Sequence, residues 1–574
     1  MKEAIKKRID IAAGREKADL VLKNGRIINV FSQEIIEGDI AIQDGVIVGI
    51  GSYEGEVEEE LNGKFVSPGL IDGHVHIESS MVSPGQFARA IVPRGTTTIV
   101  ADPHEIANVC GVEGIEYIIR SSQDLPLNVY VMLPSCVPAT PFENSGAVLG
   151  AKELAPLMGH ERVLGLGELM NYVGVAAADE EIINKILVAG DKIIDGHGPS
   201  IEGKDLNAYV AAGVRTEHEC STVEEMKNRL NLGMYILVRQ GSAARDLETL
   251  VRGITKENSR RCLFCTDDKH PDDIILGGHI DNNLRLAVKH GIDPITAIQM
   301  ATINAAECYR LKNTGALAPG YKADIVIFDD LKNFEVSKVY KDGKLVADNK
   351  KALFDVNPSD YSKVINTVNL KEITKEDLQL KVTSDIVNVI KLLPHSIVTE
   401  KVVRKVETEN SKFKYHKSLD ILKLAVIERH KATGNIGLGL VEDFKLKGGA
   451  IASTIAHDSH NLIVIGDNDE DMLLAIQEVE RVGGGITICS NGEVNRTLSL
   501  PIGGLISDGT MEEVNQQLNE MLDIAYNRLG VSTEIDPFMT LSFLALPVIP
   551  QIKLTDEGLF DVTVFDFIDL SIKE

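Results

Sequence analysis

The sequence predicts a mixed α/β protein built on a (β/α)8 barrel of the TIM type, with a small composite β-sandwich domain beside it and a C-terminal α/β domain after it. Three observations lead there. Eight short apolar runs alternate with helical patterns across the central part of the chain. Two hairpin-rich stretches bracket that part, and a polar passage near residue 356 opens a third block of strand and helix patterns. At 574 residues the chain is also too long for a single core.

The first block, residues 1–65, holds "ADLVLKNGRIINV" and "GDIAIQDGVIVGIG", where β-branched residues cluster between Asn-Gly and Asp-Gly turn signals. The same style returns at 311–355 in "GYKADIVIFDD" and "VSKVYKDGKLVAD", so the two stretches are expected to form one β domain. Between them, residues 66–310 carry the eight runs "FVSPGLIDGHVHI", "TTTIVADPHE", "LNVYVMLPSC", "RVLGLGELMN", "KIIDGHGP", "GVRTEHEC", "MYILVRQG" and "CLFCTDDKHP". Helical segments such as "DEEIINKILVAG" and "TVEEMKNRLNLG" separate many of them, which is the pattern of a parallel sheet. A doubly wound open sheet is the competing architecture, but no G-x-G-x-x-G follows a first strand. Residues 356–574 form the third block, and "VGGGIT" within it lacks the Lys and Ser/Thr of a phosphate loop and reads as a tight turn.

Composition narrows the function. A net charge of −26 argues against non-specific nucleic-acid binding and against an anionic membrane surface. The N-terminus lacks the apolar core of a signal peptide, and no apolar run is long enough to span a bilayer. Seven cysteines without a tight framework fit a reducing cytoplasm, and the close pair Cys262 and Cys265 reads as strand residues rather than a zinc knuckle.

In a barrel of this type the site lies at the C-terminal ends of the strands. The first run ends in His74 and His76, whose alternate spacing points both imidazoles to one face. The fourth ends in Glu168, the fifth in His197, the sixth in His218 and the eighth in Asp267 with Asp268. Taken singly, each histidine reads as a hydrogen-bonded loop residue and each acid as a helix cap or solvated loop. Together, four imidazoles and two carboxylates around one axis suit a pair of divalent metals.

This ordered set resembles the amidohydrolase superfamily. The phrases "PGLIDGHVHIESSM", "TTTIVADPHEIANV", "GELMNY", "DGHGP", "RTEHEC", "FCTDDKHPDD", "TIAHDSHNLIVIG" and "SLPIGGLIS" resemble the bacterial adenine deaminase family nearly end to end. Many superfamily members carry a carboxylated lysine on the fourth strand where this chain has Glu168, which argues against a hydantoinase-like or dihydroorotase-like reading. The resemblance implies attack of a metal-activated hydroxide on C6 of adenine, giving hypoxanthine and ammonia in purine salvage. It implies His74, His76, Glu168, His197, His218 and Asp267 as metal ligands, with Glu168 bridging two ions. Manganese comes first for those ions, iron second and zinc last. A homodimer or larger assembly is also implied.

A proton must pass from water toward the ring or the leaving amine, and Asp267 is the first choice, with Glu105 and Asp268 as alternatives. Candidates for gripping the purine are His104, Glu105, Ser135, Arg239 and Gln240, all at strand ends. Each has a structural alternative: a turn for "PHE", an ion pair for Arg239. His279 is expected to cap a helix rather than line the mouth. "AHDSHN", with His457, Asp458 and His460, reads as a loop with internal hydrogen bonds, as a loop completing the pocket through His457, or as a further metal site. Three rivals stand beside deamination. A cyclic-amide hydrolase would use the same attack, and a silent barrel would be a binding protein. A nucleic-acid deaminase is opposed by the acidic charge and by the missing H-x-E…P-C-x-x-C signature.

Overall fold

A computed structural model describes residues 2–572. Its centre is a ring of eight parallel strands: β1 (Leu70–His76), β2 (Thr96–Ala101), β3 (Asn128–Leu133), β4 (Val163–Leu169), β5 (Ile193–Gly196), β6 (Thr216–Glu217), β7 (Tyr235–Arg239) and β8 (Cys262–Cys265, continued past Thr266 by Asp267–Asp268). Each of the eight apolar runs supplies one strand. Adjacent strands pair in parallel from β1 to β5 and from β6 to β8, and β8 returns to β1 through Asp267–Val75 and Asp268–His76. Between β5 and β6 the ladder gives way to single bonds. Arg215 N donates to Ile194 O at 3.0 Å, and Gly196 N donates to Thr216 Oγ1 at 3.2 Å.

The closure of the ring shapes the site. Thr266 N donates to Asp72 Oδ1 of β1 at 3.1 Å and its hydroxyl to Oδ2 at 2.5 Å. His279 holds the same carboxylate, with Nε2 3.2 Å from Asp72 Oδ2 and Nδ1 2.9 Å from Thr96 Oγ1. His279 does sit at the N-terminus of helix Ile280–Lys289, but its side chain makes no cap bond. That corrects the expectation of a capping histidine: the ring is buried as a brace between β1 and β2. Just beyond Thr266 the chain turns through Asp267 at φ 59°, a left-handed conformation that Asp tolerates better than most residues.

The stretches before and after the barrel join in one nine-stranded sheet. Phe65–Pro68 is the seam: it pairs in parallel with Ala18–Asn29 and antiparallel with Ile325–Phe328. The sheet curls on itself, since Ile40 and Ile47 from one end share a buried core with Ile325, Ile327 and Tyr340 from the other.

The C-terminal part is built on an eight-stranded, mostly antiparallel sheet. Helix Asp469–Val482 covers one face, with Asn468 capping it by accepting from Asp471 N. The strands Ala450–Ser453 and Leu462–Gly466 are antiparallel neighbours, so "AHDSHN" belongs to the loop of a hairpin. This part seats directly on the barrel mouth. Ser507 N donates to Met81 O at 2.8 Å, and one continuous buried core contains both Ile106 and Leu505. Among the described residues no helix is long and apolar enough to cross a membrane, and all seven cysteines are free.

Arg429 fastens the hairpin loop. It is fully buried and donates to His460 O, to Thr367 O and Oγ1 at 3.1 Å each, and to Gly503 O at 3.0 Å. Replacing it by Met removes the donors and strands the buried carbonyls of His460 and Gly503 and the half-buried carbonyl of Thr367. Arg429→Met is expected to lower stability by about 3 kcal/mol, read as a shift of the urea-unfolding midpoint.

Candidate active site

All six expected ligand side chains converge at the C-terminal end of the ring. From β1, His74 Nε2 and His76 Nε2 lie 3.2 Å apart. His76 Nδ1 sits 2.8 Å from Asp102 O; donating there leaves Nε2 as a bare lone pair facing inward. Glu168, at the end of β4, stands between two groups. Its Oε1 is 2.8 Å from His74 Nε2 and 3.0 Å from His76 Nε2, while its Oε2 is 2.9 Å from His197 Nδ1. Asp267 Oδ1 completes the first group at 3.0 Å from His76 Nε2. His218 Nε2 joins the second, 3.8 Å from Glu168 Oε1, with its ring stacked on His74 at 4.3 Å.

Small residues make room for this arrangement. A Cβ at Gly167, beside Glu168, would collide with the buried carboxylate of Asp102. Ser135 lies behind Glu168, where its hydroxyl donates to the Glu168 carbonyl at 2.6 Å. Tyr209 steadies the neighbouring loop, its hydroxyl accepting from His197 N at 2.9 Å and donating to Leu169 O at 2.7 Å.

The charges favour bound cations. Burial works against ionised Glu168, but the imidazoles of His104, His197, His74 and His76 hold its carboxyl well below the usual range. Burial likewise opposes charge on His74, yet Asp267 and Glu168 outweigh it and raise that imidazole to about 10. Burial, with His74 beside it, pushes His218 down to about 3, so that ring is neutral. Glu168 Oε1, His197 Nδ1 and His218 Nε2 are buried and make no hydrogen bond. Donor atoms of His74, His76, Glu168 and Asp267 lie within 4.8 Å of one another, as do those of Glu168, His197 and His218. The carboxylates that draw protons onto these imidazoles would equally draw cations, and with metal displacing the protons the set fits two divalent ions sharing Glu168.

The remaining candidates divide. Arg239 points into a carboxylate cluster, donating to Glu219, to Asp267 Oδ2 at 2.8 Å and to Asp246 Oδ2 at 3.1 Å. Gln240 binds through its backbone, N to Cys265 O at 3.1 Å and O to Lys269 Nζ at 3.2 Å. Asp268 accepts from Ser79 Oγ at 2.5 Å. His104 lies between the ligand cluster and Glu105, with Nδ1 3.9 Å from Glu168 Oε1 and Nε2 3.4 Å from Glu105 Oε1. His457 Nδ1 is 2.7 Å from Glu105 Oε1. Burial opposes charge on Glu105 too, but His457, His460 and His104 hold its carboxyl well below the usual range.

Sequence reasoning did not assign roles to Asp102, Glu219 or Glu143. Asp102 and Glu219 adjoin named motif residues, in "ADPHE" and "RTEHEC", and that adjacency was the available signal. Glu219 Oε1 lies 3.5 Å from His218 Nε2. Asp102 Oδ1 lies 3.5 Å from His104 Nδ1. Glu143, buried near Asp458 and raised well above the usual carboxyl range by burial, carried no motif signal.

A parallel β/α barrel with two such donor groups at its mouth defines a metal-dependent hydrolase, and residues 65–346 match the model of the amidohydrolase family. Residues 396–566 match that of the adenine deaminase C-terminal domain. The chain is 55% identical over 567 residues to an adenine deaminase of Clostridium acetobutylicum, covering 98% of this chain and 100% of that one. An adenine deaminase of Nitratidesulfovibrio vulgaris is 52% identical over 98% of each chain. One of Halalkalibacterium halodurans is 48% identical, covering 100% of this chain and 99% of its own. The chain belongs to the adenine deaminase family.

Proposed function

We propose that this chain hydrolyses adenine to hypoxanthine and ammonia, in a site that holds two divalent ions. Glu168 carries the reading: one carboxylate oxygen faces His74 and His76 and the other faces His197, all at 2.8–3.0 Å. His74, His76 and Asp267 would hold one ion and His197 and His218 the other, with Glu168 shared and manganese preferred over iron. Such ions, when bound, polarise water and bring its deprotonation into the neutral range.

The chain's own residues do the rest. Asp267 takes the proton of the attacking water on Oδ1 and passes it toward the ring or the leaving amine. Arg239 fixes the other oxygen, Oδ2, so its part is to orient Asp267 rather than to touch the purine. His104 lies between the ligand cluster and Glu105, which lines the adjoining cleft, and these two are the polar partners we assign to the base. Ser135 acts from behind, by holding the Glu168 backbone. None of the six ligand residues is missing, whereas a silent barrel would be marked by such a loss. The charge of −26 favours a small neutral substrate over nucleic acid. Free cysteines fit a reducing compartment, in line with a cytoplasmic enzyme; the reaction places it in purine salvage, and we read it as a homodimer or larger, which light scattering checks.

The test is an ultraviolet assay of adenine on metal-stripped protein before and after adding Mn²⁺. Turnover to hypoxanthine is expected only with the ion present. Metal-dependent opening of a cyclic amide with no action on adenine would overturn the substrate while keeping the site.

A further inference from the structure

A second cluster of titratable side chains lies just outside the ligand set, and it joins two parts of the chain that are far apart in sequence. Glu105, in the first turn after β2, meets the hairpin loop of the C-terminal part. His457 Nδ1 is 2.7 Å from Glu105 Oε1, and His460 Nε2 contacts the other oxygen, Oε2. These three residues have the makings of a metal site by spacing alone. The hydrogen bonding says otherwise. His460 Nδ1 accepts the N–H of Ala456 at 3.1 Å, so in the neutral ring the proton sits on Nε2 and is donated to Glu105. A protonated nitrogen has no lone pair for a cation. The cluster is a clamp on a carboxylate.

The clamp is itself held rigidly. Arg429 and His430 bind the carbonyls of His460 and Ser459, the latter at 2.8 Å. Asn461 Nδ2 donates to Asn144 O of a barrel loop at 2.7 Å, and the His457 ring stacks on Phe543 at 4.4 Å. Against this cluster lies a solvent-open cleft between the barrel mouth and the C-terminal part, which Glu105 and His457 line beside Met81, Ile455, Leu505 and Phe538. Apolar walls with a few fixed polar groups suit a flat, neutral heteroaromatic.

We infer that His457 and His460 are positioning residues for the deamination proposed above: they fix Glu105 as an acceptor for an N–H of the bound base, so the C-terminal domain is part of the active site. Oε1 of Glu105 faces His457 and, at 3.4 Å, His104, whereas Oε2 spends one lone pair on His460 and keeps another for substrate. With the clamp gone, the carboxylate swings among rotamers, and a misplacement of the order of 1 Å costs about 10²-fold in rate.

The experiment is a double-mutant cycle on metal-loaded full-length protein, with kcat and KM for adenine, bound metal and thermal melting measured for each variant. His460→Ala is expected to lose about 10²-fold in kcat/KM while keeping its metal. His460→Gln, whose amide N–H reaches the place of Nε2, is expected to recover most of that loss. Because His460 acts through Glu105, adding His460→Ala to Glu105→Ala is expected to cost nothing further. Undiminished kinetics in His460→Ala, additive losses in the double variant, or loss of metal from His460→Ala would each overturn the inference. A wild type that holds metal but leaves adenine untouched would instead overturn the reaction on which it rests.

Discussion

Glu168→Gln is expected to cut adenine turnover by at least about 10³-fold and to lower the bound metal from two ions per chain. The substitution keeps the shape of the side chain and removes its charge. Three carboxylates, Glu168, Asp267 and Glu219, face the four imidazoles of the ligand set, and Glu168 is the one that reaches all four. An amide offers one weak acceptor where the carboxylate offers two, and its NH₂ would face the nitrogen of His74, His76 or His197 as a donor. Metal analysis beside the adenine assay checks both parts. Full metal content with full turnover would remove Glu168 from the centre of the site.

Asp267→Asn is expected to lower kcat by 10²–10⁴-fold, on the order seen when a general acid–base group is lost, with less loss of metal than Glu168→Gln. The contrast has a geometric basis. Asn accepts the left-handed conformation found at φ 59° as readily as Asp, so the closure of β8 on β1 survives. Arg239 keeps Glu219 and Asp246 as partners. The variant therefore folds, and beyond a weaker ligand and a lost charge beside Arg239 its main change is that the residue can no longer take up a proton. Single-turnover measurement at saturating adenine isolates that step. A variant that turns over normally would move the proton transfer to Glu105, because Asp268 is already tied to Ser79 at 2.5 Å.

Much of this protein was legible in its sequence. The eight apolar runs became the eight barrel strands because each is buried on both faces, which leaves a continuous local mark. The residues that converge at the barrel mouth were legible for the same reason: a polar residue where such a run stops stands out against its neighbours. Even the joining of residues before and after the barrel could be read, from the shared hairpin style of the two stretches.

Less legible were the partners of each polar group. Arg239 and Ser135 looked like substrate contacts from their positions at strand ends, yet the folded chain turns one onto three carboxylates and the other onto a backbone carbonyl. His279 stands where a cap belongs and braces Asp72 instead. The AHDSHN loop could be read as self-contained, as completing the pocket or as a metal site, and only the fold shows its two histidines reaching Glu105 some 350 residues away. Strand identity and strand-end chemistry are set by residues within a few positions of one another, so the sequence alone determined the eight barrel strands and the set of polar side chains that gather at their C-terminal ends. Which donor meets which acceptor depends on distances of about 3 Å between segments that only folding brings together. That was left to the tertiary structure, and with it the orientation of Asp267, the bracing of Glu168 and the clamp on Glu105.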